Sequence, residues 1–221
     1  MTTHATKRAG TPGSHRAALA ALTVGAIALA LAGCTGLQQA GANQAAAQSL
    51  IDGAQGLDNW TTLGTANWRA EDGNIVADQP NNGQSGYLRT KQTYGNFHLH
   101  AEFWVSQGGK SGVFFRCTDP MQINSKTCYE TQIFPGRVDQ FGTGALVNVA
   151  PISQQYAVAN RWNSYDITAD GDHLTVTLNG QKTVDVNHPG LQTGLVVLQF
   201  RGGVVRYRSL TIAPLPGPAN G

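Results

Sequence analysis

The chain has 221 residues, of which only 13% are charged, with 15 Lys and Arg against 13 Asp and Glu. Lys7, Arg8 and Arg16 lie near the N-terminus; without them twelve basic residues face thirteen acidic ones. That balance offers no electrostatic grip on nucleic acid or on an anionic membrane surface, so neither is expected as a charge-driven partner.

Those three cations precede the apolar run "AALAALTVGAIALALAG" and then Cys34. The run is too short and too soon interrupted for a membrane span, and it reads as an export signal. Leu31 to Cys34, "LAGC", resembles the lipobox of bacterial lipoproteins, in which the cysteine becomes the lipidated N-terminus. Residues 1–33 are therefore expected to be a signal peptide, and residues 34–49 lipidated Cys34 plus an uncharged, flexible tether. The expected location is outside the cytoplasm, lipid-anchored to the bacterial cell membrane or envelope. An ordinary signal with an incidental Cys34 would leave a free soluble protein instead. Residues 50–215 suffice for one domain, and 216–221 form a tail.

Strand signals follow one another from there. Phe97 to Val105 alternates strictly: Phe97, Leu99, Ala101, Phe103 and Val105 on one face, His98, His100, Glu102 and Trp104 on the other. In residues 111–116, Val113 and Phe115 oppose Gly112, Phe114 and Arg116. In residues 128–134, Tyr129, Thr131 and Ile133 oppose Cys128, Glu130, Gln132 and Phe134. Residues 173–186 read as a hairpin with Asn179-Gly180 as a type I′ turn. Residues 195–212 give two strands about Gly202-Gly203, with Val196, Leu198 and Phe200 opposing Gln199 and Arg201. The predicted fold class is all-β, an antiparallel sandwich or barrel. Cys117 and Cys128, the cysteines left after Cys34 in an exported domain, are expected to form a disulfide.

Several strands thus carry Arg, Glu or Gln among bulky residues on the face away from the core. A plain solvated face has the same phase. Against that reading stand the low charge and the aromatics Trp104, Phe114 and Phe134, which suit the apolar faces of sugar rings, while Glu, Gln, Asn and Arg suit hydroxyls. If these strands share one sheet, the polar groups line one hollow. The alternation His98, His100, Glu102 also presents a possible metal-ligand set on one strand face, although solvent-facing histidines are commoner. No phosphate-binding loop, Ser-His-Asp order or HExxH motif is present, which argues against nucleotide enzymes, serine hydrolases and zinc proteases.

An ordered series of segments, "LIDGAQGLDNW", "WRAEDGNIV", "YLRTKQTYGNFHLHAEF", "KSGVFFR", "CYETQI", "GTGALVNVAP", "RWNSYDI", "LTVTLNGQ" and "LQFRGGVVRYRSLTI", resembles the 3-keto-disaccharide hydrolase family. Its members are also described as 3-keto-glucoside lyases and 3-keto-2-hydroxyglucal hydratases, and the likeness covers about residues 50–213. It implies a concanavalin-A-like jelly roll of two antiparallel sheets, a site on the concave face, and a carbohydrate partner. It also implies a divalent ion in some members, without fixing its ligands. The family's recurrent polar positions fall on Glu102, Arg116, Glu130, Gln132, Trp162, Asn163 and Gln199. Two positions depart from the pattern: Arg201 stands where His or Glu is frequent, and Val147 where Tyr is common. Arginine stays protonated and can neither relay a proton nor hold a metal.

A 3-keto sugar has an acidified hydrogen at C2. Its chemistry needs a base, a positive charge near the C3 oxygen and an acid for the leaving group. The sequence points to Glu130 as base and Arg116 as enolate stabiliser. Gln132, Asn163 and Gln199 would orient hydroxyls beside Glu102 and Arg201, and Trp104 or Trp162 would stack on a ring. His98 and His100 are the candidate metal ligands. The competing function is a non-catalytic, lectin-like carbohydrate-binding module.

Overall fold

Alternation of apolar and polar side chains dominates from Gln48 onward, and in the computed structural model it produces strands and almost no helix. The structure describes residues 46–78 and 84–216, so the expected signal peptide and Cys34 lie outside the described residues. In chain order the strands are β1 (Gln48–Asp52), β2 (Trp60–Leu63), β3 (Arg69–Glu71), β4 (Asn74–Ala77), β5 (Gly86–Tyr94), β6 (Phe97–Val105) and β7 (Lys110–Cys117). They continue with β8 (Tyr129–Ile133), β9 (Trp162–Asp170), β10 (His173–Leu178), β11 (Gln181–Asn187), β12 (Gly194–Gly202) and β13 (Val205–Pro214). Strand β1 begins inside the segment read as tether: Leu50 and Ile51 are buried, and the strand pairs with β13. Among the described residues no helix is long and apolar enough to cross a membrane.

The strands form two antiparallel sheets. An eight-stranded sheet runs β11-β10-β9-β6-β13-β4-β3, with β1 also on β13; a five-stranded sheet runs β2-β5-β12-β7-β8. The predicted sandwich is present, and so is the turn at residues 179–180, where Asn179 (φ 50°) and Gly180 (φ 79°) adopt the left-handed conformation a type I′ hairpin requires. One core lies between the sheets. Phe97, Leu99, Phe103, Tyr165 and Ile167 come from the larger sheet; Leu88, Val113, Phe115, Val196, Leu198 and Phe200 come from the smaller. Each such side chain contributes roughly 1.5–3 kcal/mol by leaving water, so phase relative to this core fixes which residues must face outward.

Strand β7 ends in a local distortion. Arg116 has φ 51°, and the chain there comes so close to the start of β12 that a Cβ on Gly194 would stand 2.4 Å from the Cys117 carbonyl oxygen. Only glycine lets the two backbones meet at that point.

Candidate functional site

The expected polar set divides between the two sheets. Strand β6 belongs to the eight-stranded sheet, and its outward residues His98, His100, Glu102 and Trp104 lie on the opposite side of the sandwich from Glu130, Gln132, Gln199 and Arg201. Trp162 is the register partner of Trp104 and faces outward with it. These side chains are already engaged: Arg208 makes a two-pronged pair with Glu102 at 2.7 and 3.0 Å and lies 4.4 Å from the Trp162 ring centre. Arg206 covers Trp104 at 5.6 Å. Asn163 points inward, is 4% exposed, and donates to the carbonyls of Val158 and Arg161 at 2.9 and 2.8 Å. The expectation of a single hollow fails for these residues because sheet membership, unlike phase, is not written locally in a strand.

His98 and His100 approach the same carboxylate, that of Asp166, at 3.6 and 2.8 Å. Among the described residues no group of three or more His, Cys, Asp or Glu side chains is arranged to hold a metal ion. His100 thus hydrogen-bonds Asp166 with His98 beside it, a surface cluster rather than an arranged metal centre.

Arg116 is also corrected. It is 1% exposed, and its guanidinium donates to three carbonyls and an amide oxygen: Gly95 O (3.1 Å), Gly171 O (2.7 Å), Leu191 O (3.0 Å) and Asn96 Oδ1 (3.1 Å). These acceptors belong to three loops, β5–β6, β9–β10 and β11–β12, which the fork ties together at one end of the sandwich. Burial holds its pKa below the usual arginine value, opposed by nearby Tyr129, Asp172 and Asp170. With four of its five N–H donors so committed and the side chain buried, the guanidinium is not placed to meet an enolate.

What remains assembles on the outer face of the five-stranded sheet. At one level, Leu63, Tyr87, Gln199, Gly112 and Gln132 are successive register partners across all five strands; at the next, Thr61, Arg89, Val197, Phe114 and Glu130. Strand β8, which carries Glu130 and Gln132, is not a free edge. Val147 N donates to Glu130 O, Gln132 N to Ala145 O, and the Tyr165 hydroxyl to Gln132 O. The two side chains therefore project from a backbone fixed on both sides.

Glu130 is half-buried, and among the described residues its carboxylate makes no hydrogen bond. Loss of water pushes its pKa up to about 7, and the charges of Lys110, Arg137 and Arg201, which favour the ionised form, only partly offset that. Lys110 in turn has its pKa lowered, first by burial and then by Arg201, and its ammonium stands 5.0 Å over the Phe134 ring. Arg137 donates to Asp139 at 2.6 Å. With the Gln132 amide turned so that its nitrogen donates, it bonds Ser111 O at 3.0 Å and accepts from Arg137 at 3.2 Å. Gln199 is 5% exposed; its nitrogen reaches Ser85 Oγ at 3.4 Å, while its oxygen is buried with no donor among the described residues. One proton acceptor raised toward neutrality and three cations thus gather on this face, with Gln199 on the central strand. Sequence reasoning missed Lys110 and Arg137. The first has the phase of Gly112 and Phe114 and was legible; the second comes from a loop that carries no periodic signal.

The middle of this face is covered. Cys117 and Cys128 form the expected disulfide. The loop it closes sends Ile123 down onto Phe114, Val197 and the two cysteines, a small second core that also touches Tyr87 and Leu195. Phe114, read as a stacking platform, is 2% exposed and packs edge-on against Tyr87 at 6.2 Å. The bulky outward residues of β7 and β12 are thus explained by a covering loop rather than by sugar contact.

Two sheets of this order, with hydrogen-bonding groups on one outer face, define a lectin-like β-sandwich. A glycosyl hydrolase candidate from Parabacteroides distasonis superposes with a TM-score of 0.65 at 19% identity, over 77% of this chain and 94% of that one. The carbohydrate-binding module CBM66 from Bacillus subtilis does so at 0.55 and 14%, over 70% and 95%. The lumenal domain of VIP36, bound to Ca2+ and Man3GlcNAc, does so at 0.57 and 14%, over 78% and 90%. These similarities establish the jelly-roll fold. The chain belongs to the family of the 3-keto-alpha-glucoside-1,2-lyase-like domain, matched over residues 46–213. No curated protein matches it by sequence.

Proposed function

We propose that the protein is an envelope-anchored enzyme acting on 3-keto-glycosides, with its chemistry at Glu130. The observation that carries the reading is a half-buried carboxylate, without a hydrogen-bond partner among the described residues, whose pKa of about 7 suits a general base at neutral pH. In this scheme Glu130 takes the C2 hydrogen as a proton, and the C2–H electron pair becomes the enolate with its charge on the C3 oxygen. Lys110 and Arg201 face that oxyanion in place of Arg116. The enolate collapses back to the C3 ketone, the C1=C2 bond forms, and the C1–O bond breaks. The departing oxygen takes a proton from Lys110, whose lowered pKa makes it the better acid, or from protonated Glu130. Water adding across C1=C2 would complete hydration. The Gln132–Arg137 pair would hold hydroxyls, with Gln199 beside it. Lipidation at Cys34 would keep the domain at the membrane.

Release of the leaving group from a 3-keto-glucoside tests this: wild type turns over and Glu130→Gln falls at least about a hundredfold. Equal rates remove Glu130 from the mechanism. The second reading, a binding module without chemistry, is favoured by Arg201, which cannot transfer a proton. Glycan binding with no turnover by the wild-type protein would select it.

A further inference from the structure

On the far side of the disulfide loop from Glu130, the same sheet face opens into a pocket of about 590 Å³. Arg89 and Glu130 stand at the same level, with the covered pair Val197 and Phe114 between them. Three strand spacings put the two about 14 Å apart, so the pocket is not part of the Glu130 hollow. Thr61, Thr93, Thr118 and Thr193 line it together with Arg89 and Lys91, and no acidic side chain among the described residues does. Asp119, the adjoining acid, spends its oxygens on the N–H groups of Met121 and Gln122 and on the Gln122 amide.

Arg89 is only partly committed. Its terminal nitrogens hold Pro120 O, Met121 Sδ and Thr62 O, which pins the disulfide loop to β2 and β5. Its Nε is closed off from solvent, with no acceptor among the described residues. The exposed Lys91, by contrast, is open to a ligand in the pocket. Hydroxyls that both donate and accept, two cations, and an apolar wall of Leu195 and Pro120 together match one chemistry: a sugar ring carrying an anionic group. The volume lies within the range of small-molecule sites and exceeds what one water cluster needs.

We propose that this pocket is a second binding site, for an acidic sugar unit bearing a carboxylate or phosphate, separate from the Glu130 site. The anion lies against Lys91, with the Arg89 charge beside it, and the threonines take the ring hydroxyls. This goes beyond the proposed reaction and does not depend on it.

The test is calorimetric titration of the full chain with three probes, a uronic-acid trisaccharide, a hexose phosphate and a neutral glucotriose, each at low and raised salt. Because Arg89 also holds the loop, the variants are the exposed Lys91→Gln and Thr193→Val, with Glu130→Gln as control. Binding of the uronate identifies a carboxylate ligand, and binding of the hexose phosphate a phosphate. Either should weaken several-fold at raised salt and about tenfold in Lys91→Gln, and should persist in Glu130→Gln. Equal affinity for glucotriose, indifference to Lys91→Gln, or no binding of any probe overturns the proposal. Turnover of a 3-keto-glucoside, measured on the same samples, reports on the Glu130 site alone, so the two ideas fail separately.

Discussion

The Glu130 carboxylate lies across Gly112: a Cβ at residue 112 would stand 3.1 Å from Glu130 Oε1 and 3.3 Å from Glu130 Cγ. The neighbouring strand supplies no side chain there, and the missing atoms are the space the acid occupies. Gly112→Ala should therefore move the carboxylate by a few tenths of an ångström and lower turnover of a 3-keto-glucoside about tenfold, with a melting temperature near wild type. Unchanged turnover would mean that the acid's position does not matter.

Glu130 should weaken the fold that holds it. Its pKa rises from 4.5 to about 7 on folding. Below pH 4.5 both folded and unfolded chains are protonated there, and nothing is lost. Between these values the unfolded chain gives up the proton first, so stability falls as pH rises and levels off above about 7. The loss is up to about 3 kcal/mol. Glu130→Gln should melt higher than wild type at pH 8 and equally at pH 4 while losing activity. Thermal melts across that range check it, and a Gln variant less stable at pH 8 would contradict the burial argument.

Arg116 is expected to matter for folding rather than chemistry. Arg116→Met orphans four acceptors from three loops, at a cost of about 3 kcal/mol or more. Arg116→Lys should rescue little, because an ammonium cannot span the same fork. Denaturant midpoints test this, with per-molecule turnover of the folded fraction staying near wild type.

Side chains of the eight-stranded sheet should be dispensable for turnover. His98→Asn with His100→Asn, Glu102→Gln and Trp162→Phe should each leave the rate within about twofold, since surface changes away from a site are mild. A chelator effect lost in the double histidine variant would restore the metal reading.

Replacing Cys117 and Cys128 by Ser should cost roughly 3 kcal/mol from the loosened unfolded chain. It should also uncover Phe114 and Val197, detectable as dye binding to exposed apolar surface.

Phase was legible in the sequence. The alternation in Phe97–Val105 and in the strands carrying Val113 and Val196 sorted core from surface correctly, because period two is a local property. Sheet order was not. Nothing within β6 states that it pairs with β9 and β13 rather than with β7, so His98, His100, Glu102 and Trp104 were joined to a site on the other side. Arg116 misled for a related reason: its strand phase is outward, but a left-handed backbone at that residue turns the side chain into three loops. The Cys117–Cys128 pairing was readable from the cysteine count and the expected export, whereas the loop's descent onto Phe114 was not.

Glu130 is proposed to remove the C2 hydrogen of a 3-keto sugar, and deuterium exchange followed by NMR reads that step directly. A 3-keto-glucoside incubated with the wild-type protein in D2O should gain deuterium at C2, with a rate that climbs as Glu130 ionises near neutral pH and drops at least about a hundredfold in Glu130→Gln. Exchange at the wild-type rate in the Gln variant, or no exchange beyond buffer in the wild type, would contradict it.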